Sequence, residues 1–301
     1  MKKVIFLLGV DDPEMRTIEE IVREAAPFAH AEFATADGRR VHPGNAYKAD
    51  PVPDLESGDT LVRVECEPTS VPEGVEVIVI DHHRSGDPGY SLGPDRFWEA
   101  SSLGRIVALI NRDELAVSPL HHDVCAMFSG YDKPEEWTAT ERDWRTLAAM
   151  DHCFPAAIRG ECPNVEPADV LAVKIREIAA AVKCDEIIVR NRVEFFRKEL
   201  AENLALPHER IGTQWVRDLR RHDLGVGYSL DLLTAQVAVT MEGFTALLRH
   251  RDRDGQPEKW TLSGNATPET VVAFKDAWAP AHGLLRVYGV PERGYAGGYV
   301  K

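Results

Sequence analysis

The chain has no long hydrophobic run. Its most apolar opening stretch, Val4 to Val10, ends at Asp11-Asp12 after seven residues. That is shorter than a bilayer span or a secretory core requires, and no small-residue cleavage site follows it. A regular cysteine framework is missing too: Cys66, Cys125, Cys153, Cys162 and Cys184 are odd in number, scattered, and contain no CxxC. This argues against a disulfide scaffold and against a thiolate zinc knuckle. A reduced, cytoplasmic protein with no membrane partner is expected. Positive charge is scarce as well, with 35 Lys and Arg against 49 Asp and Glu and a net charge of −14. A duplex DNA binder normally presents a basic face to phosphate, so duplex DNA is not an expected partner. The densest basic clusters, Arg217 to Arg221 and Arg249 to Arg253, are small and suit a short anionic ligand. No internal repeat at solenoid or propeller spacing occurs.

What remains is a globular composition, 44% hydrophobic and 28% charged over 301 residues, enough for one large or two modest domains. Val4 to Leu8 reads as a buried strand. Asp12-Pro13-Glu14 then offers a capping carboxylate and a proline for the first helical turn, and Ile18, Ile21, Val22 and Ala25 follow at helical spacing. Ala31 to Ala36, Thr60 to Cys66 and Val75 to Ile80 read as further strands, the last of them buried. Residues 37–58 and 84–96 read as loops, and Phe97 to Asn111 as a helix. Helices are expected over Thr138 to Met150, Pro167 to Val182 and Arg190 to Glu202. Beyond a boundary near 205, strands are expected at Ala235 to Thr240, Thr245 to His250, Lys259 to Leu262 and Leu284 to Tyr288, and a helix at Pro268 to Trp278. The predicted architecture is α/β: a parallel-sheet domain with a helical connection over 1–205, then a smaller α+β domain over 206–301.

The stretch Val75-Glu76-Val77-Ile78-Val79-Ile80-Asp81-His82-His83 holds the chemistry. A β-branched strand delivers a carboxylate and two imidazoles to a loop at its carboxyl end, where parallel sheets bind ligands. Carboxylate and imidazole together suit manganese, iron or zinc, and a neighbouring carboxylate can orient an imidazole through its ring N–H.

With Asp12-Pro13-Glu14 after the first strand, Glu65 closing Leu61-Val62-Arg63-Val64, and Asp151 in Leu147-Ala148-Ala149-Met150-Asp151-His152, the ordered set resembles the DHH phosphoesterase superfamily. The helix carrying Ala100-Ser101-Ser102-Leu103-Gly104-Arg105-Ile106 is similar to the serine-containing helix that follows the signature in that family. The resemblance spans approximately residues 1 to 155. It implies His82 as a metal ligand and His83 as the contact to the phosphoryl group. Asp81 would be a supporting or ligating carboxylate, and Asp12 (or Asp11), Glu14, Glu65 and Asp151 would complete a site for one or two divalent ions, Mn2+ foremost. The implied activity is metal-dependent hydrolysis of a phosphodiester or phosphomonoester in a nucleotide or short single-stranded oligonucleotide. The alternative is a DHH-derived fold that senses a nucleotide without cleaving it.

The departures from the family pattern fall in its first motif. The histidine usually found there is replaced by Leu8, Gly9 or Val10, the DxD becomes Asp12-Pro13-Glu14, and the middle aspartate becomes Glu65. His42 and His152 are candidates to complete such a site, each with an ordinary reading as a turn or helix-end residue. His121-His122-Asp123 reads as a loop pair, and Arg159 as a phosphate contact. The tail Arg293-Gly294-Tyr295-Ala296-Gly297-Gly298-Tyr299 resembles the glycine-rich motif of the DHHA1 domain. That resemblance implies substrate binding by Arg293, Gly294, Gly297 and Gly298, although the motif's usual histidine is absent.

Overall fold

The computed structural model describes residues 2–26, 28–111, 139–202, 208–252, 254–291 and 294–301. His121, His122, Asp123, Cys125 and Arg293 lie outside the described residues. The chain divides into two compact units, Met1–Glu166 and Pro167–Lys301.

The first unit is built on β1 (Val4–Leu8), α1 (Pro13–Ala25), β2 (Ala29–Phe33), β3 (Thr35–Ala36), β4 (Arg39–Arg40), β5 (Thr60–Val64) and β6 (Glu76–Ile80). Every residue of β1 is buried, as its unbroken apolar run predicts. Asp12 caps α1 by accepting the Met15 N–H at 2.9 Å, and Met15, Ile18, Ile21, Val22 and Ala25 form its buried stripe. The main sheet has the order β2-β1-β5-β6 and is parallel throughout, with Leu8 beside both Phe33 and Val64, and Val64 beside Ile80. The segments that follow β1, β5 and β6 therefore leave from one edge. Strand order reverses at β1, since β2 lies on one side and β5 on the other, and such a switch point is where open parallel sheets hold ligands.

β6 departs from the buried strand expected. It stands at the edge of the sheet formed by the described residues, with Glu76 and Val77 exposed and only Ile80 buried. The expected helix over Phe97 to Asn111 is two: α2 (Phe97–Ala100) and α3 (Ser102–Asn111). Between them Ser101 is extended; its hydroxyl donates to the Trp98 carbonyl and accepts the Gly104 N–H, each at 3.1 Å. Serine makes such local bonds in competition with the helix, and here it restarts one. α4 (Ala139–Ile158) is broken at Cys153 (φ −147°, ψ 48°). Pro155 lacks an N–H and crowds the carbonyl four residues earlier, that of Asp151, so Asp151 ends the regular part of the helix.

The second unit contains α5 (Pro167–Val182), α6 (Glu186–Glu202), β7 (His208–Ile211), β8 (Gln214–Asp218), α7 (Leu230–Met241), β9 (Thr245–Arg251), β10 (Glu258–Gly264) and α8 (Pro268–Ala273). α8 runs through a π-helical turn (Phe274–Trp278) into α9 (Ala279–Ala281), and β11 (Leu285–Val290) and β12 (Tyr295–Tyr299) end the chain. Its sheet has the order β11-β12-β10-β9-β8-β7. α5 and α6, read from the sequence as a connection belonging to 1–205, fall in this unit. α6 buries Val189, Val193, Phe196 and Leu200, and its Arg192 and Arg197 pair with Asp231 and Glu242 at the two ends of α7. The compact boundary thus lies between Glu166 and Pro167 instead of near 205.

Ala235 to Thr240, expected as a strand, lies within α7. Ser229 caps that helix through the Leu232 N–H, and Leu232, Ala235, Val237, Ala238 and Val239 are all buried. A helix buried on nearly every side shows no amphipathic period, so its β-branched residues mislead. The whole is nonetheless the mixed α/β arrangement expected, a parallel sheet followed by a separate sheet-rich part.

Gly9 is fixed by packing where β1 meets β5. A Cβ there would stand 2.8 Å from the Glu65 carbonyl oxygen and 3.1 Å from that of Val64. Gly9→Ala is expected to lower unfolding free energy by about 1–3 kcal/mol, the usual range for overpacking. Urea denaturation checks this, and an unchanged midpoint would mean that β1 and β5 can separate freely.

Candidate metal centre

Three loop or helix starts at the carboxyl edge supply the acids. Glu14 is on the first turn of α1, Glu65 follows β5 and Asp81 follows β6. Asp151 joins them from α4: one carboxylate oxygen each of Glu14, Glu65 and Asp151 can be chosen within 4.8 Å of one another, and ligand atoms of Glu65, His82 and His83 converge equally closely. Glu65 holds a left-handed backbone angle (φ 52°), uncommon for a residue with a Cβ. Its N–H still donates to the Ile80 carbonyl at 3.0 Å, so this strained conformation is held by the sheet.

The amino-terminal end of α3 faces this cluster. The Leu103 N–H donates to Glu14 at 3.0 Å and the Ser102 hydroxyl to Glu65 at 2.6 Å. A helix N-terminus favours negative charge, which offsets part of the crowding. It does not offset all of it. Burial, reinforced by Asp151, pushes the carboxyls of both Glu14 and Glu65 well above the usual range. Burial also opposes the charge of Asp151, yet the neighbouring His82 and His83 rings hold its carboxyl below the usual range.

Asp81 and His83 form a separate pair. Burial again works against ionisation of Asp81, but His83, through its ring and its backbone N–H, and Tyr47 lower it to about 2. Asp81 accepts the backbone N–H groups of His82 and His83, the Tyr47 hydroxyl at 2.9 Å, and His83 Nδ1 at 2.9 Å. Because an ionised carboxylate cannot donate, Nδ1 of His83 carries the proton. The Asp81 carboxylate is thus an orienting group for His83, leaving Nε2 as its outward-acting atom.

His82 is different. Only 5% exposed, it has Nδ1 at 3.6 Å from Glu65 and Nε2 at 3.3 Å from Asp151. Neither ring nitrogen makes a directed hydrogen bond, and Glu14 Oε2 and Asp151 Oδ2 are likewise buried without one. Buried polar atoms ordinarily find partners. Orphaned buried carboxylate oxygens beside an imidazole that offers one acceptor nitrogen could hold a divalent cation, and the oxygen-and-imidazole donor set fits manganese, iron or zinc. Packing keeps the site tight: a Cβ at Gly89 would meet the Ala100 carbonyl and lie 2.8 Å from Cβ of His82.

Asp12 is spent largely as the α1 cap, although its charge acts on Glu14 and Glu65. Asp11 pairs with Arg16 at 2.6 Å outside the cluster. His152 bonds the Leu92 carbonyl at 3.0 Å, its ring edge-on to His82 with centroids 5.0 Å apart. His42 accepts the Gly44 N–H at 3.1 Å and serves its own turn. Arg159 is held by Glu161 at 2.6 and 3.0 Å. In the second unit Gly294 adopts φ 64°, while Gly297 and Gly298 lie within β12, where a Cβ would meet Tyr288 and Leu284 respectively. Sequence reading missed Tyr47 and the Arg84 guanidinium stacked 3.3 Å from its ring centroid. Nothing in the spacing of a tyrosine within a turn-rich loop indicates that it returns to Asp81.

No family model matches this chain, and no curated protein does. Among solved structures the chain is similar to PggH, a pGpG-specific phosphodiesterase from Vibrio cholerae, at 11% identity and a TM-score of 0.40, covering 100% of this chain and 93% of the other. It is also similar to an uncharacterized protein from Helicobacter pylori G27, at 10% identity and a TM-score of 0.27, covering 100% and 94%.

The raised carboxyls set a pH dependence. An unfolded glutamate titrates near ~4.3. Above that pH the folded, cation-free state holds more protons than the unfolded state, so stability falls as pH rises toward the folded values of Glu14 and Glu65. Thermal unfolding in chelator is expected to show Tm declining from about pH 5 to about pH 8, with Glu65→Gln flattening the decline. A pH-independent Tm across that range would mean that the acids are not crowded as described.

Proposed function

We propose that the first unit is a divalent-metal-dependent phosphoesterase acting on a phosphodiester or phosphomonoester of a nucleotide or short oligonucleotide. The observation that carries this is His82, a buried imidazole with both nitrogens unsatisfied, set between the carboxylates of Glu65 and Asp151. His82, Glu65, Asp151 and Glu14 would hold the cation, with Asp12 contributing charge at the rim. A bound cation in such a site supplies a nucleophile at neutral pH and stabilises charge on phosphoryl oxygens.

The protein's own groups divide the remaining work. Asp81 fixes the tautomer and direction of His83. His83 then offers a proton or a hydrogen bond at Nε2 to a phosphoryl or leaving oxygen. Tyr47 and the backbone N–H groups of His82 and His83 keep Asp81 ionised, so that it does not compete for that proton. The substrate-binding roles of Arg293, Gly294, Gly297 and Gly298 belong to the same proposal and rest on the sequence resemblance alone, and that of Arg159 on its place shortly after Asp151.

The second reading is a nucleotide sensor that binds without turnover. It draws on the first motif: Leu8 is buried in the sheet and Gly9 has no room for a side chain, so the ligand set lacks the family's extra histidine. One experiment separates the two, metal analysis coupled to a manganese-supplemented screen over pyrophosphate, mononucleotides, cyclic dinucleotides and short single strands. Cation binding with no turnover on any member would favour the sensor.

Three variants test the assignments. His82→Ala is expected to weaken cation affinity by at least the ~10–100-fold seen when even an outer partner of a metal ligand is lost; an unchanged titration would remove His82 from the site. Asp81→Asn is expected to lower kcat while leaving cation affinity nearly intact, because Asp81 acts through His83. A parallel fall in both would make Asp81 a ligand instead. Arg293→Ala is expected to raise KM without altering cation binding.

A further inference from the structure

β7 and β8 form an antiparallel hairpin in which His208 stands opposite Arg217, and Arg210 opposite Trp215. Opposed residues share a face, so these four side chains lie together. The residues between them turn the other way. Glu209 accepts from the Trp278 indole at 2.7 Å and from Arg220 at 3.0 Å, while Ile211 and Val216 belong to the apolar core. One face of the hairpin therefore carries two arginines, a histidine and a tryptophan, and no acid.

Their states differ in an informative way. Trp215 is 63% exposed, its ring edge-on to His208 with centroids 6.4 Å apart. Arg217 is only 9% exposed. Its guanidinium lies over the Phe244 ring at 4.6 Å, and its Nη1 is buried without a hydrogen-bond partner. Arg210 is exposed and has no acidic group at ion-pair distance among the described residues. Neighbouring arginines are neutralised: Arg220 by Asp218 and Glu209, Arg221 by Glu199, Arg251 by Asp223. In a chain of net charge −14, positive charge is left uncompensated here beside an exposed indole.

We propose that this face of the β7–β8 hairpin binds a single-stranded nucleic-acid segment, with a base stacked on Trp215 and flanking phosphates on Arg210 and Arg217. An indole offers its π-face to any base, and guanidinium pairs with phosphate oxygens in a bidentate way. The unsatisfied Nη1 of Arg217 gains an acceptor when a phosphate arrives. An apolar protein partner would need an apolar surround, and here the indole stands opposite the exposed Arg210. Binding at this face does not require the metal centre, so the inference goes beyond the proposed hydrolysis.

The test uses the full chain in chelator with a fluorescein-labelled oligothymidylate of about ten nucleotides, within the usual range of strand sites. Affinity is read by anisotropy and stacking by quenching of tryptophan emission. Binding is expected to weaken with salt at a log–log slope of about −1.4, two phosphates at −0.7 each. Trp215→Ala should weaken it on the order of tenfold and abolish the quenching, and Trp215→Phe should restore most of the affinity. Arg210→Ala, a surface change that leaves the core untouched, should reduce the slope by about 0.7. Unchanged affinity and quenching in Trp215→Ala would overturn the proposal, whatever the turnover. So would a chain that binds no strand and instead dissociates from dimer to monomer on that substitution, which would make the face a contact between copies. Strand binding that persists in chelator would uphold this face whether or not the manganese-supplemented screen finds turnover.

Discussion

Everything in the first unit is arranged around the crowding of Glu14, Glu65 and Asp151. Three carboxyl groups with little access to water repel one another at distances where the low-dielectric interior screens them poorly. The fold relieves this with a serine hydroxyl, a backbone N–H at the start of α3, and an imidazole. These neutral dipoles and one titratable ring do not balance three charges. Two acids held toward the protonated form and one held toward the ionised form are the expected compromise of a site awaiting positive charge.

The compromise has a structural cost that the sheet absorbs. Glu65 keeps a left-handed backbone that glycine would adopt more easily, and Gly9 is confined to a side-chain-free position against it. A sequence selected for stability alone would place glycine at 65. A glutamate there brings its carboxylate to Glu14 and Asp151 at the cost of that backbone strain. The same logic explains Gly89, whose missing side chain lets the loop after β6 close onto Ala100 and the Cβ of His82.

How far the sequence speaks depends on whether a residue acts through local pattern or through tertiary return. Val4 to Leu8, the Asp12 cap and the β-branched run into Asp81-His82-His83 are local, and each element lies where its pattern puts it. The convergence of Glu14, Glu65 and Asp151 was legible only as an ordered set; their meeting depends on parallel register and on the break that Pro155 imposes two residues beyond Cys153. Tyr47 was illegible, because a loop residue contacting Asp81 across 34 positions leaves no periodic trace. α7 failed for the opposite reason: burial on all sides erases the polar stripe by which a helix is read. β7, β8 and β12 are short, carry charged or glycine residues, and take their strand character from neighbours.

Packing also explains why no histidine stands at the end of β1. Leu8 fills the sheet, Gly9 touches the Glu65 backbone, and the next residues turn into the α1 cap, so no nearby position can deliver an imidazole without rebuilding β1. What stands near the cluster instead is His82 with both nitrogens uncommitted and His152 edge-on beside it. His82 stands between Glu65 and Asp151, where acids and imidazole could hold a cation, and His83 is oriented by an ionised Asp81. The 4.4 Å stacking of the two imidazoles sets the buried ring of His82 directly beside the ring that Asp81 orients, so the acid cluster and the Asp81–His83 pair meet at one point of the sheet edge.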